Sequence, residues 1–96
     1  MIRSFHDRGT EDIFNRMNSE GARHTCPENL WRVARRKLDQ LNAVVSLESL
    51  RIPPGNKLES LKGNRQGQHS VWINEQFRIC FITTAAFLSL MILLSR

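Results

Sequence analysis

The rhythm of apolar positions changes near Pro53. Before it, Leu30, Val33, Ala34, Leu38 and Leu41 recur at three- and four-residue spacing, which predicts a helix with one buried face. Thr25 with Glu28 three residues on reads as a capping box for that helix. Pro27 falls in its first turn, where a missing amide hydrogen costs nothing. A shorter helix is predicted upstream, with Thr10 as its cap, Glu11 and Asp12 in its first turn and Ile13, Phe14 and Met17 on its buried side. Asn18 to Gly21 should end it. The segment Met1 to Phe5 sets Ile2 and Phe5 around Arg3 and Ser4 and reads as a short edge strand. Ser46 to Leu50 adds one further helical turn before Pro53-Pro54-Gly55-Asn56 breaks the helical half of the chain.

Beyond that breaker the period falls to two. Leu58 and Leu61 flank Glu59 and Ser60 in a short strand, and Lys62 to Gly67 forms a loop with two glycines and two cations. From Gln68 to Ile73, His69, Val71 and Ile73 share one side while Ser70 and Trp72 share the other. Asn74-Glu75-Gln76 makes a turn, after which Phe77, Ile79 and Phe81 point inward and Arg78 and Cys80 outward. The expected fold class is α+β: two N-terminal helices packed on a small antiparallel sheet.

The end of the chain complicates this picture. From Ile79 to Leu94, 13 of 16 residues are apolar and none is charged. The stretch after Phe81 can supply a last strand. A strand with one face on the core leaves alternate residues outside, however, and Leu90 to Leu94 is apolar on both faces. The surplus must then meet a partner, a second copy or lipid. A membrane span needs about 20 residues, so the run is short for one, and a single Arg96 is a poor anchor. Aggregation, or dependence on a partner for solubility, is the stronger expectation.

Composition bounds the function. Ninety-six residues make one domain, 1–96, with room for one core and one compact site. Fourteen Lys and Arg against nine Asp and Glu give a formal charge of +5. A pI near 10.2 points to a polyanionic partner; the other reading is a basic protein without one. Arg32, Arg35 and Arg36 on the second helix are either a solvated face or part of that positive field. Cys26 and Cys80 lie far apart, and the N-terminus MIRSFHDRG has no apolar core of a signal peptide, so neither secretion nor a disulfide is expected and the cytoplasm is. His6, His24 and His69 show no metal-ligand spacing. No cofactor motif is present, and no metal or other cofactor is expected.

One stretch carries a resemblance. The run Leu58-x-x-Leu61-Lys62-Gly63-x-Arg65-x-Gly67-x-His69-Ser70-Val71-x-Ile73-Asn74-x-x-Phe77-Arg78-Ile79-Cys80-Phe81, preceded by Pro53-Pro54-Gly55-Asn56 and opened by Met1 to Phe5, closely resembles the HigB-type killer toxins of the RelE superfamily. Members are small basic α+β proteins of bacterial type II toxin-antitoxin systems. The resemblance implies a ribosome-dependent endoribonuclease that cleaves mRNA and is held inactive by a cognate antitoxin, a DNA-binding helix-turn-helix protein. Family members usually end in an Asp-Tyr-His-like terminus that contributes to cleavage. This chain has no tyrosine and no histidine after His69, and residues 82–96 form an atypical apolar segment. A reading-frame change is one explanation. The alternative function is a catalytically defective homologue that binds its antitoxin, and the ribosome with it, without cleaving RNA.

RNA cleavage by the substrate's own 2′-hydroxyl needs a base, positive donors for the phosphorane and a proton for the leaving oxygen. Arg78, on a strand of fixed direction, suits bidentate phosphate binding; its bland role is a surface ion pair. Lys62 and Arg65 frame the Gly63 and Gly67 turn, either as phosphate contacts or as a solvated loop. Lys57 is the third expected RNA contact. Glu59 stands where some relatives carry a catalytic histidine, and a surface carboxylate is the other reading. His69 completes the catalytic candidates, although its alternation with Val71 and Ile73 favours a packed histidine. Trp31 and Trp72 can stack on bases or pack.

Overall fold

A computed structural model describes residues 2–63, 67–83 and 90–95, with the side chains of residues 83, 90, 91, 93 and 95 left aside. Strand β1, Ile2–Phe5, leads into helix α1, Arg8–Phe14. The cap of α1 is Asp7, whose Oδ1 accepts from the Thr10 amide at 2.7 Å. Thr10, expected in that role, is instead buried in the first turn. A second short helix, α2 at Glu20–Thr25, starts where the sequence suggested only an ending. Its cap is Ser19, which accepts from the Ala22 amide at 3.0 Å and donates to Asp12 Oδ2 at 2.6 Å.

Thr25 closes α2 and does not open the next helix; its hydroxyl donates to the Gly21 carbonyl at 2.8 Å. The chain turns through a short 3-10 segment, Glu28–Leu30, into α3, Trp31–Ala43, the helix the periodicity located. The N-terminal half thus carries three α-helices. At seven and six residues, α1 and α2 are too short for apolar period to separate them, and their capping side chains carry the information.

Two 3-10 segments, Leu47–Arg51 and Pro54–Asn56, bring the chain back along α3. Buried Asn56 holds them there. Its amide donates to the Leu50 carbonyl at 3.0 Å and to Gln40 Oε1 at 3.1 Å, while its carbonyl accepts from the Lys37 ammonium. Gln40 in turn donates to the Ile52 carbonyl at 2.7 Å. Burial, then the neighbouring Arg36 charge, pushes the Lys37 pKa below its ordinary value.

Strands β2 (Glu59–Ser60), β3 (Gln68–Trp72), β4 (Arg78–Thr83) and β5 (Leu90–Ser95) complete a five-stranded sheet of order β1-β5-β4-β3-β2. All pairings are antiparallel except β1 with β5, which is parallel. The hairpin between β3 and β4 turns on Asn74, whose Oδ1 accepts from the Gln76 and Phe77 amides at 2.8 Å each. The fold is α+β, as the sequence predicts. Its apolar tail becomes β5, an interior strand between β1 and β4. Among the described residues no helix is long and apolar enough to cross a membrane.

Directly paired residues on neighbouring strands share a face. Val71 with Ile79, Ile79 with Leu94 and Phe81 with Ile92 therefore line one side, and these side chains join Ile13, Trp31, Ala34, Leu38 and Leu41 of the helices in one core. The opposite side of the sheet, free of that core, carries the polar candidates.

Candidate functional site

The register β2 to β3 to β4 puts Glu59, Ser70 and Cys80 in one row on this second face, with Trp72 and Arg78 paired in the next. Arg78 must therefore span β3 to reach β2. Its Nη1 lies 3.8 Å from Glu59 Oε1, a loose ion pair whose side chains are 35% and 61% exposed. Such a pair contributes little to stability, about 0–1 kcal/mol, and leaves the guanidinium available. Ser70 lies between them, fully buried, and its hydroxyl has no hydrogen-bond partner among the described residues.

Lys57 reaches the same face from the edge. It follows the Pro54–Asn56 segment in the left-handed region, at φ 47° and ψ 55°, an uncommon conformation for a residue with a side chain. That bend places its ammonium 4.5 Å from the centroid of the Trp72 ring, in cation–π contact. Trp72 is half-buried and lies outside the helix-side core. Trp31, by contrast, is a core residue whose Nε1 donates to the Cys26 carbonyl at 2.9 Å.

The other candidates are dispersed. His69 pairs with Phe81 and so lies on the helix side of the sheet; its ring stacks on Phe81 with centroids 5.5 Å apart, and its Nδ1 is 3.1 Å from Ser60 Oγ. Lys62 is exposed just after β2 at the start of the glycine loop, where Gly63 and Gly67 have φ of 68° and 92°. Arg65 lies outside the described residues. The structure thus brings together Arg78, Glu59, Lys57 and Trp72 and sets His69 apart. Nothing in the local sequence marks Ser70; the strand register alone places it between the two charged groups. Among the described residues no three His, Cys, Asp or Glu side chains are grouped to hold a metal.

A helical layer on one side of the sheet and cationic side chains on the other define a small basic α+β domain of RelE-like build. Residues 3–90 match the family described as HigB-like toxin, the RelE-like toxin of type II toxin-antitoxin system HigB, and the chain belongs to that family. It is 35% identical over 82 residues to Toxin HigB-1 of Vibrio cholerae serotype O1 (strain ATCC 39315 / El Tor Inaba N16961), covering 84% of this chain and 82% of that toxin. An uncharacterized protein of Haemophilus influenzae (strain ATCC 51907 / DSM 11121 / KW20 / Rd) is 35% identical over 72 residues, 74% of this chain and 71% of its own. A toxin of this type is one half of a pair, and a cognate antitoxin is its partner.

Proposed function

We propose that this toxin is a ribosome-dependent endoribonuclease that cleaves mRNA in the cytoplasm and is silenced by an antitoxin with a DNA-binding helix-turn-helix domain. The observation that carries the reading is the convergence of Arg78 and Glu59, from strands that are not neighbours, on the face of the sheet that the helices leave free. Family membership supplies the rest of the support.

In this reading the mRNA backbone lies across β3. The Glu59 carboxylate takes the proton of a ribose 2′-hydroxyl as that oxygen attacks the adjacent phosphorus. The Arg78 guanidinium donates to the two phosphoryl oxygens as negative charge builds on the phosphorane. The P–O5′ bond then breaks, the leaving oxygen takes a proton from solvent water, and the products are a 2′,3′-cyclic phosphate and a 5′-hydroxyl. Lys62 and Arg65 contact flanking phosphates, and Lys62 adds charge stabilisation at the reacting one. His69, stacked on Phe81 across the sheet, has a packing role.

Primer extension on a reporter mRNA in a purified translation system tests this. Cleavage by the wild-type chain that needs ribosomes, and falls about 10²–10³-fold in Arg78→Ala, is the expected result, that range being the usual cost of removing one transition-state donor. Intact mRNA in the presence of folded wild-type protein would leave a homologue that binds its antitoxin without cleaving.

A further inference from the structure

Trp72 is a large aromatic on the polar face of the sheet. It stands directly opposite Arg78 in the β3–β4 register, outside the helix-side core, with the Lys57 ammonium over its ring. Core packing of that kind does not account for it. The lysine is also held with some strain: Asn56, fully buried and bound to Leu50, Gln40 and Lys37, fixes the turn from which Lys57 leaves in the left-handed region. A side chain in solution would not need such an anchor to find the ring.

We propose that Trp72 and Lys57 form a base-stacking subsite, in which one unpaired base of single-stranded RNA lies on the indole while the adjoining phosphate meets the Arg78 guanidinium. This deepens the cleavage reading and rests on it. Directly paired residues of neighbouring strands have Cβ atoms about 4.5–5.5 Å apart, so a π-face and a guanidinium stand side by side as base and phosphate do in one nucleotide. Every base has a π-face, which makes stacking tolerant of sequence, and the indole face is one that already meets a cation, the Lys57 ammonium, in the absence of RNA. The arriving base competes with Lys57 for the ring, and the displaced ammonium turns to the next phosphate. An acidic peptide would use the two cations but has no base to stack.

The test is fluorescence anisotropy with a fluorescein-labelled RNA hexamer of adenosines and with the same hexamer carrying two abasic residues, at fixed low salt. The wild-type chain should bind the complete hexamer about tenfold more tightly than the abasic one, within the range that stacking on one aromatic provides. This ratio needs no variant and so does not depend on any variant folding. In Trp72→Leu it should fall to about one, whereas Trp72→Phe should keep most of it. Arg78→Ala should weaken both oligonucleotides and leave the ratio unchanged. A wild-type chain that binds both equally or binds neither overturns the subsite, as does a ratio that survives in folded Trp72→Leu. Primer extension reports on cleavage independently: ribosome-dependent cleavage beside equal binding of the two hexamers removes the subsite and keeps the function, whereas intact mRNA beside a Trp72-dependent ratio removes the cleavage reading and leaves the stacking subsite as an RNA-binding one.

Discussion

A single strand residue can be read in sequence as inward or outward, but its partners cannot. The alternation of Phe77, Arg78, Ile79 and Cys80 puts Arg78 outside the core, and the structure agrees. Its contact with Glu59 depends on β2 pairing with β3 in one register, Glu59 opposite Ser70, which no local pattern encodes. His69 shows the converse: its period with Val71 and Ile73 already assigned it to the packed side, where it meets Phe81. Cys26 illustrates how burial at one residue reaches measurable stability. It lies in the core, and desolvation raises its pKa to about 11 from an ordinary 9.0. Because the folded pKa lies above the unfolded one, the unfolded chain loses the proton first. The stabilising contribution is complete below pH 9 and is lost as pH rises towards 11. Urea denaturation of wild type and Cys26→Ala at pH 8 and pH 10.5 should show the stability difference between them shrinking by on the order of 2 kcal/mol at the higher pH. A difference independent of pH would mean that the thiol is not desolvated.

At the scale of elements, α1 and α2 pack so closely that one glycine is required and the other is not. A Cβ added at Gly9 would meet the Thr25 hydroxyl and lie 2.5 Å from the Gly21 carbonyl oxygen, which is backbone and cannot rotate away. A Cβ at Gly21 would find its nearest atom at 3.6 Å, an ordinary contact. Gly9→Ala should therefore cost more than about 2 kcal/mol through backbone displacement, while Gly21→Ala, in an exposed turn of α2, should be neutral or stabilise by about 0.5–1 kcal/mol. Thermal melts of the two variants against wild type check the pair, and equal melting temperatures would refute the close packing. The same region shows what the sequence could not express. Helix α3 was legible because five apolar residues repeat over three turns, whereas α1 and α2 are set by the Asp7 and Ser19 caps and by the contact between glycines. Thr10 and Thr25 have the right chemistry to cap, but Thr10 is buried within the first turn of α1, and Thr25 ends α2 with its hydroxyl on the Gly21 carbonyl. On the strand side, the turn expected at Asn74-Glu75-Gln76 is found: Asn74 closes the β3–β4 hairpin.

For the whole molecule, the question raised by the sequence was what the apolar tail does. The sheet order answers it. Strand β5 is the only described neighbour of β1, and on its other side it pairs with β4, the strand that carries Arg78. Alternate residues of β5, Ile92 and Leu94, face the helices and enter the core, so an interior place in the sheet gives the helix-side half of the apolar run a packing role. Sequence pattern alone cannot distinguish this from a surplus that seeks lipid or a partner, because local period does not specify which strands flank a segment. The architecture also makes a direct demand. A chain ending at Thr83 would leave β1 without its neighbour, expose the hydrogen-bonding edge of β4, and remove the side chains that face Ile79 and Phe81. Two fully buried aliphatic residues alone contribute on the order of 3–6 kcal/mol, a large share of the 5–15 kcal/mol typical of a whole domain. That truncation should abolish the cooperative thermal transition seen by circular dichroism and drive the protein into aggregates through the bared strand edge. A truncated chain that still melts cooperatively near the wild-type temperature would mean that the tail is an appendage, and the place of Arg78 in the site would then have to be sought in a sheet of three strands.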